Sequence, residues 1–392
     1  MKKSRLQRTI RLLILCARPE PGAEARSEVG RLLAAGPDWE DLLAKADGEG
    51  LVPLLYWNLR GWGEAVPPDV MGRLKTHYLR SLARNSQTAK DLEPLLRAVT
   101  AAGLKIVLTK GLRLASTIYP DPALRPFWDV DFFARPADWP AIRNILKAQG
   151  FEEAAEAGTG PEAGDAAWTY SPYFRRNGLV VEFHFSLLGL HSPAGPARLE
   201  DMTAPPLAVR GAEVPILSPE HELCYLCLHA QQHSYQKLIW LADIAGLASR
   251  PGLDRDKIAG VCASLGIRAS VHHGLRLAES LWPGSIPPDL AAGLRPRPLQ
   301  RAALRFFWPE AAVAGRDALL AWPYDMPSLF SLWERKSPGA AVRVLSGLLF
   351  PPRRWLARAS GVPENSPRIC LQYARRILRP LGLAARRLVN AR

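Results

Sequence analysis

Two short apolar segments, one ending in Lys-Gly and the other containing Asp-x-Asp, constrain the fold of this chain more than any other feature. The first runs from Leu104 to Gly111, and Asp129 and Asp131 follow within a second apolar run around Val130. In a strand, side chains two residues apart project from one face, so the two carboxylates are expected to point together. Like charges this close require a positive partner, for which Mg²⁺ is the usual choice. The pattern predicts a strand, a Gly turn, a helix and a second strand that carries a metal site.

Length and composition are those of a globular protein. The chain has 392 residues, of which 48% are hydrophobic and 22% are charged, enough for two or three domains. Its five cysteines are odd in number and scattered, which does not resemble a disulfide framework. The basic N-terminal segment lacks the apolar run and cleavage site of a signal peptide, and no run approaches the roughly 18 apolar residues of a membrane span. We therefore expect a cytoplasmic protein.

The spacing of apolar residues changes along the chain from helical to strand-like and back to helical. It predicts a mixed α/β core between helical regions. Strands are expected at 104–109, 128–134, 167–174, 179–187 and 206–217, and helices within the core at 111–119 and 139–149. The predicted divisions are an N-terminal helical region at 1–100, the core at 101–217, a helical domain at 218–300 and a basic C-terminal helical region at 301–392.

Two local patterns mark element boundaries in this region. Asn177-Gly178 lies between two apolar runs and favours a β-hairpin turn, because this dipeptide suits turns that match strand twist. Ser218-Pro219-Glu220 is typical of a helix start, with a Ser cap, Pro at the first position and an acid in the first turn.

The hairpin also supplies a candidate third carboxylate. Glu182 and His184 alternate with Val181 and Phe183, so the acid and the imidazole are expected on one face. Glu182 is either a third metal ligand or an edge-strand residue that faces water. His184 either orders the acid or contacts the nucleotide, and the alternative is a hydrogen-bonded core histidine.

Groups that bind phosphate are expected before and after the predicted helix. The helix N-terminus after Gly111 offers backbone N–H groups and a positive dipole end to a triphosphate, and Lys110 adds a charge. Arg125 is close enough in sequence to contact a phosphate or to pair with Asp129 in a structural ion pair.

The motifs together resemble a poorly characterised nucleotidyltransferase family related to the DNA polymerase β superfamily. The residues that carry the resemblance are Thr109-Lys-Gly111, Ile118-Tyr-Pro-Asp-Pro122, Arg125, Asp129-Val-Asp131, Val181-Glu-Phe-His184, His229, His233 and Leu238-Ile-Trp240-Leu-Ala-Asp243. The resemblance implies an α+β, polymerase β-like mixed-sheet core flanked by N-terminal and C-terminal helical regions.

The resemblance also implies roles for individual residues. Asp129, Asp131 and Glu182 would be the catalytic, metal-binding acids, and Lys110 and Gly111 would contact phosphate. Arg125 and His184 are also predicted to bind the nucleotide, because they lie four residues before Asp129 and two residues after Glu182. The chain departs from the superfamily in two respects: Lys-Gly-Leu stands where Gly-Ser or Gly-Gly is usual, and the third acid is Glu where Asp is frequent.

The expected function is Mg²⁺- or Mn²⁺-dependent transfer of a nucleoside monophosphate from an NTP, such as ATP, to an unidentified acceptor. The acceptor would be a small molecule, a sugar or a peptide in a biosynthetic or tailoring pathway. One alternative is a non-catalytic protein that binds nucleotide or a partner on a degenerate core. Another is a tRNA-modifying nucleotidyltransferase, which is less favoured because the sequence shows no aromatic and basic platform for a single strand.

The net charge of +14 is concentrated near the C-terminus. Residues 294–392 contain 18 Lys and Arg against 5 Asp and Glu. This basic region is expected either to expose solvated arginines while packing on its own domain, or to bind an anionic partner such as nucleic acid, a phosphorylated substrate or a membrane surface.

Overall fold

The protein is a mixed α+β structure in which helices precede and follow a single sheet. The computed structural model describes residues 2–154, 172–187, 199–315, 349–351 and 353–376, with single positions between 339 and 382. The helices before the sheet are α1 (Lys2–Cys16), α2 (Ala23–Ala34), α3 (Trp39–Gly48), α4 (Val52–Leu59) and the long α5 (Pro68–Ala101).

Seven strands form the sheet, with two helices connecting its first half. In chain order these elements are β1 (Ile106–Thr109), α6 (Lys110–Thr117), β2 (Val130–Ala134), α7 (Trp139–Ala148), β3 (Glu152–Glu153), β4 (Tyr173–Arg176), β5 (Leu179–His184), β6 (Thr203–Val209) and β7 (Ala212–Leu217). The strand order is β3-β4-β5-β2-β1-β7-β6. The β2–β5 and β1–β7 pairs are parallel and the others are antiparallel, so the sheet is mixed as expected.

Further helices follow the sheet. They are α8 (Pro219–Gln232), α9 (Leu238–Ala248), α10 (Arg255–Leu265), α11 (Arg268–Leu281), α12 (Pro288–Gly293), α13 (Pro298–Phe307), α14 (Glu310–Ala314) and α15 (Arg353–Ser360). Ser218 caps α8, accepting a hydrogen bond from the backbone N–H of His221 as the sequence predicted. In the part of the chain that the structure describes, no helix is long and apolar enough to span a bilayer.

The predicted hairpin is confirmed, whereas several predicted strand bounds need correction. Asn177 and Gly178 both have positive φ, 50° and 84°, as a turn matched to strand twist requires. The run at 206–217 is two strands, because Arg210 and Gly211 turn the chain. β2 begins at Val130 instead of 128. β4 begins at Tyr173, and residues 167–171 of its predicted strand lie outside the described residues.

Among the described residues there are four hydrophobic clusters, of which the first three contact or surround the sheet and its helices. The largest is shared by α1–α4 and α8–α14, so the helices that precede the sheet pack with those that follow it. The second lies between one face of the sheet and helices α5 and α7. The third, on the opposite face, is small and joins Val107, Phe133 and Leu217 to Tyr225 of α8. Polar side chains of the central strands lie on the same face of the sheet as this third core, next to Tyr225.

Candidate active site

The register of the central strands brings two acids side by side. In the parallel β2–β5 pair, Asp131 lies opposite Glu182, and Phe133 lies opposite His184. The alternate residues Phe132 and Phe183 stack in the core on the other face of the sheet. β5 lies between β4 and β2, so Glu182 is not on an edge strand, and it is buried instead of facing water.

Three potential metal-ligating side chains converge on this face. One ligand atom from each of Asp131, Glu182 and His184 lies within 4.8 Å of the other two. Nε2 of His184 donates to Oδ1 of Asp131 at 2.9 Å, and it is 3.7 Å from Oε1 of Glu182. The hydrogen bond of His184 therefore goes to Asp131, whereas the acid that the sequence predicted it to order is Glu182.

Lys110 supplies the positive charge nearest to these acids. Its Nζ lies 2.6 Å from Oδ1 of Asp131, and both side chains are largely buried. Burial by itself would lower the pKa of Lys110, but the charges of Asp131 and Glu182 outweigh it and raise that pKa well above its usual value. Burial likewise works to raise the pKa of Asp131, yet Lys110 and His184 hold it well below its usual range. The pair is therefore ionised at neutral pH.

Asp129 lies at the end of the loop that leads into β2, not within the strand. The prediction that Asp129 and Asp131 project from one face of a strand is therefore wrong, because only Asp131 lies within the strand. Asp129 is half-buried, and burial together with the charge of Asp131 raises its pKa to about 6. Glu182 also contributes to that rise. A carboxyl with this environment is one that a bound cation would stabilise in its charged form.

The geometry and chemistry of the cluster fit a divalent cation. Around an ion with ligands at about 2.1 Å in octahedral geometry, neighbouring donors are about 3 Å apart and opposite donors about 4.2 Å apart. One ligand atom from each of Asp131, Glu182 and His184 lies within 4.8 Å of the others, slightly wider than this range. Carboxylates are the donors that Mg²⁺ and Mn²⁺ prefer. Residues that could hold such an ion are Asp131 and Glu182, with Asp129 beside them. Nε2 of His184 could join them only by giving up the hydrogen bond that it donates to Asp131.

A buried acid that sequence reasoning missed fixes the backbone at the start of α6. Glu222 of α8 accepts from the backbone N–H of Lys110 at 2.9 Å and from Oγ1 of Thr109 at 3.0 Å. Lys110 has a φ of 50°, a left-handed conformation that costs a residue with a side chain about 1–2 kcal/mol. Nε of Arg113 lies 3.4 Å from the Glu222 carboxylate and offsets its charge. Glu222 thus places Lys110, whose ammonium contacts Asp131.

Gly111 is required by a close approach of the chain. A Cβ at this position would lie 2.8 Å from Cβ of Phe127 and 3.5 Å from the carbonyl oxygen of Asp129. Real Cβ atoms do not approach another carbon this closely, so only glycine lets α6 pack against the segment that leads into β2.

Arg125 makes its ion pair with an acid outside this cluster. Its guanidinium makes three hydrogen bonds of 2.8–3.0 Å to the carboxylate of Asp243 in α9, which also accepts from the Tyr119 hydroxyl at 2.7 Å. A fourth bond from Arg125 goes to the carbonyl of Pro126. The structural ion pair that the sequence predicted with Asp129 is formed with Asp243 instead.

Aromatic and histidine side chains continue from the acids along α8 and α9. The Tyr225 ring contacts His184 and lies 5.3 Å from Nζ of Lys110. His229 follows one turn later and contacts both Tyr225 and Trp240. Burial and the charge of Lys110 lower the pKa of His229 well below its usual value, so it is neutral. The sequence did not indicate a role for Tyr225 or Glu222 in the site, because the residues that they contact lie on other helices and strands.

A comparison with known protein families identifies the family of this chain. Residues 35–283 match a family of proteins described as uncharacterised nucleotidyltransferases, a span that is more than half of the chain and includes every residue of the site. No curated protein matches the chain. Among solved structures, the crystal structure of an antigenic nucleotidyltransferase-like protein from Paracoccidioides brasiliensis is 17% identical, with 53% of this chain and 91% of that chain covered and a TM-score of 0.34. A TM-score this low supports no argument about the site.

Proposed function

This chain belongs to the uncharacterised nucleotidyltransferase family, and we propose that it moves a nucleoside monophosphate from an NTP to an acceptor oxygen with the help of Mg²⁺ or Mn²⁺. The observation that carries the proposal is the buried cluster of Asp131, Glu182 and His184 beside Lys110. Buried acids that converge on a lysine and a helix start are suited to holding a cation and a triphosphate together.

The acids would hold the ion, and His184 would orient one of them. Asp131 and Glu182 present oxygens to the same space, while the hydrogen bond from His184 fixes the Asp131 carboxylate. Asp129 would join them in its charged form, since a cation offsets the repulsion that raises its pKa. A divalent ion bound there would neutralise charge on the phosphates and on the attacking oxygen.

Lys110 is the residue placed to contact a phosphate. When a cation takes over the charge of Asp131, the ammonium is free to turn from the carboxylate to a phosphate oxygen. Its main chain stays fixed, because Glu222 holds the Lys110 N–H independently of the side chain. The same contact means that Glu222 already satisfies one N–H at the start of α6, so the Lys110 side chain carries more of the phosphate binding than the helix dipole does.

Substitution of the acids tests this proposal. We expect Asp131→Asn and Glu182→Gln each to reduce metal-dependent pyrophosphate release from NTPs by at least about 100-fold, since each removes charge from the metal site. Asp289→Asn is a matched control: Asp289 is an exposed acid paired with Arg255. The assay follows release from ATP, GTP, CTP and UTP across candidate acceptors, with and without EDTA, and circular dichroism verifies folding.

Two results would contradict the proposal. Pyrophosphate release that survives both substitutions or excess EDTA would place the chemistry elsewhere. NTP binding by the unmodified protein, with no release across a broad set of sugar, small-molecule, peptide and tRNA acceptors, would identify a nucleotide-binding protein on an inactive core.

A further inference from the structure

Trp128 is exposed immediately beside the acids. Its side chain is 55% accessible to solvent, although Phe127 before it and Val130 two residues after it are buried. Trp128 is adjacent in the chain to Asp129, so the two Cα atoms are about 3.8 Å apart. A large aromatic ring left in water beside a buried polar cluster is a feature of ligand sites more than of packing.

Two cations from distant parts of the chain flank this ring. Nζ of Lys237, at the start of α9, lies 5.3 Å from the Trp128 ring centre, and the guanidinium carbon of Arg84 in α5 lies 5.7 Å from it. Lys237 is also 5.9 Å from the ring of Trp240. An aromatic face combined with positive charge is the arrangement that binds nucleotides, because the ring stacks on a base and the cations attract phosphate.

Ring contacts connect this surface to the acid cluster. Trp240, beside Lys237, contacts His229 and His233 at 5.0 Å and 5.2 Å between ring centres. His229 leads through Tyr225 to His184 and Lys110, as described above. The main chain from Trp128 to Asp131 joins the two ends of this series of contacts. The exposed tryptophan and the acids therefore belong to one connected set of side chains.

We propose that the Trp128 ring stacks on the base of the bound nucleotide, with Lys237 and Arg84 contributing attraction for its phosphates. This inference rests on the proposed function and adds how the nucleoside is recognised. Stacking on an aromatic ring changes affinity by about 5- to 150-fold per base, whereas an exposed cation–π contact contributes about 2- to 5-fold. A base therefore displaces a cation from the ring face, and that cation becomes available to phosphate.

The nucleotide is a better occupant than a nucleic-acid strand. A strand is held by successive aromatic rings along a groove. Among the described residues, the exposed large aromatic side chains are Trp128 and Phe350, and only Trp128 is flanked by these two cations next to the acids. One exposed ring can stack on one base. Asp129, next to Trp128 in the chain, adjoins the acid cluster at which the phosphates of the same nucleotide would bind.

Calorimetry with two ligands tests the stacking. The probes are a non-hydrolysable ATP analogue and inorganic triphosphate, which has no base, each with Mg²⁺ or Mn²⁺ and the full-length chain. We expect Trp128→Ala to weaken analogue binding by about 5- to 150-fold and to leave triphosphate affinity within about 2-fold. Trp128→Phe should recover most of the loss, while Lys237→Met should weaken both ligands. Leu299→Ala, which removes another exposed apolar side chain, is the control.

The outcomes separate this inference from the proposed function. Suppose that the unmodified protein binds the analogue, but Trp128→Ala weakens the binding of analogue and triphosphate equally or changes the binding of neither. The proposed stacking is then wrong, and the proposed nucleotidyltransferase function is unaffected. If only long single-stranded oligonucleotides respond to Trp128→Ala, the platform serves an acceptor strand and the inference is overturned. Absence of any analogue binding by the unmodified protein would overturn both proposals.

Discussion

The ion pair between Arg125 and Asp243 allows a quantitative test of what Arg125 does. Asp243 is fully buried and Arg125 is 7% exposed, and three of the guanidinium's hydrogen bonds end on this carboxylate. Asp243→Asn keeps the shape and one acceptor oxygen but leaves a buried positive charge without a counter-charge. Removing one partner of a buried pair costs about 3–5 kcal/mol. We expect about 3 kcal/mol, since Asn can still accept from Tyr119 or from Arg125.

Urea denaturation followed by far-UV circular dichroism measures this loss of unfolding free energy. The double variant Arg125→Met with Asp243→Asn removes both charges, so it should be more stable than the sum of the single effects predicts by at least about 1 kcal/mol. The reasoning is refuted if Asp243→Asn costs less than about 1 kcal/mol or if the two effects add. A loss of NTP affinity in Arg125→Met with unchanged stability would instead favour the phosphate contact.

Two further predictions concern Gly111 and a buried histidine. Gly111→Ala should cost about 1–3 kcal/mol in unfolding free energy and slow turnover, because its Cβ would overlap Phe127. A Cβ at Gly72 in α5 would meet no atom within 4 Å, so Gly72→Ala should be neutral or stabilising in the same urea denaturation assay. Burial lowers the pKa of His273 to about 3, and the neutral ring donates to the carbonyl of Trp308. In the unfolded chain the histidine pKa is about 6.5, so the unfolded state takes up a proton at a higher pH than the folded state does. The contribution of the neutral His273 to the unfolding free energy is therefore fully present above pH 6.5 and declines as the pH falls toward 3. At pH 5 the loss is about 2 kcal/mol. His273→Gln should flatten the pH dependence of stability between these limits; an unchanged slope would contradict the assigned burial effect.

The division of the chain into regions at 1–100, 101–217, 218–300 and 301–392 stays a prediction. The shared core of α1–α4 and α8–α14 indicates that the first and third of these regions pack on each other. Limited proteolysis would show whether they separate.

Local patterns in the sequence determined much of the fold and part of the site. Alternation along β5 placed Glu182 and His184 on one face, opposite Val181 and Phe183, because a strand has a side-chain period of two. The Asn177-Gly178 turn and the Ser218 cap were likewise readable, since both depend on backbone conformations that those residues favour. The strand-to-helix turn was predicted at Lys110-Gly111, but its left-handed residue is Lys110, and Gly111 is required by the close approach of Phe127.

Only the tertiary structure decided which side chains meet across the chain. Arg125 pairs with Asp243, 118 positions away, and Glu222 holds the backbone of Lys110 from 112 positions away. Neither pairing leaves a periodic or short-range signal, because it depends on how α8 and α9 pack over the sheet. The start of β2 shows the same limit: the strand begins at Val130, and Asp129 lies in the segment that approaches Gly111, although the sequence pattern extends the strand to 128.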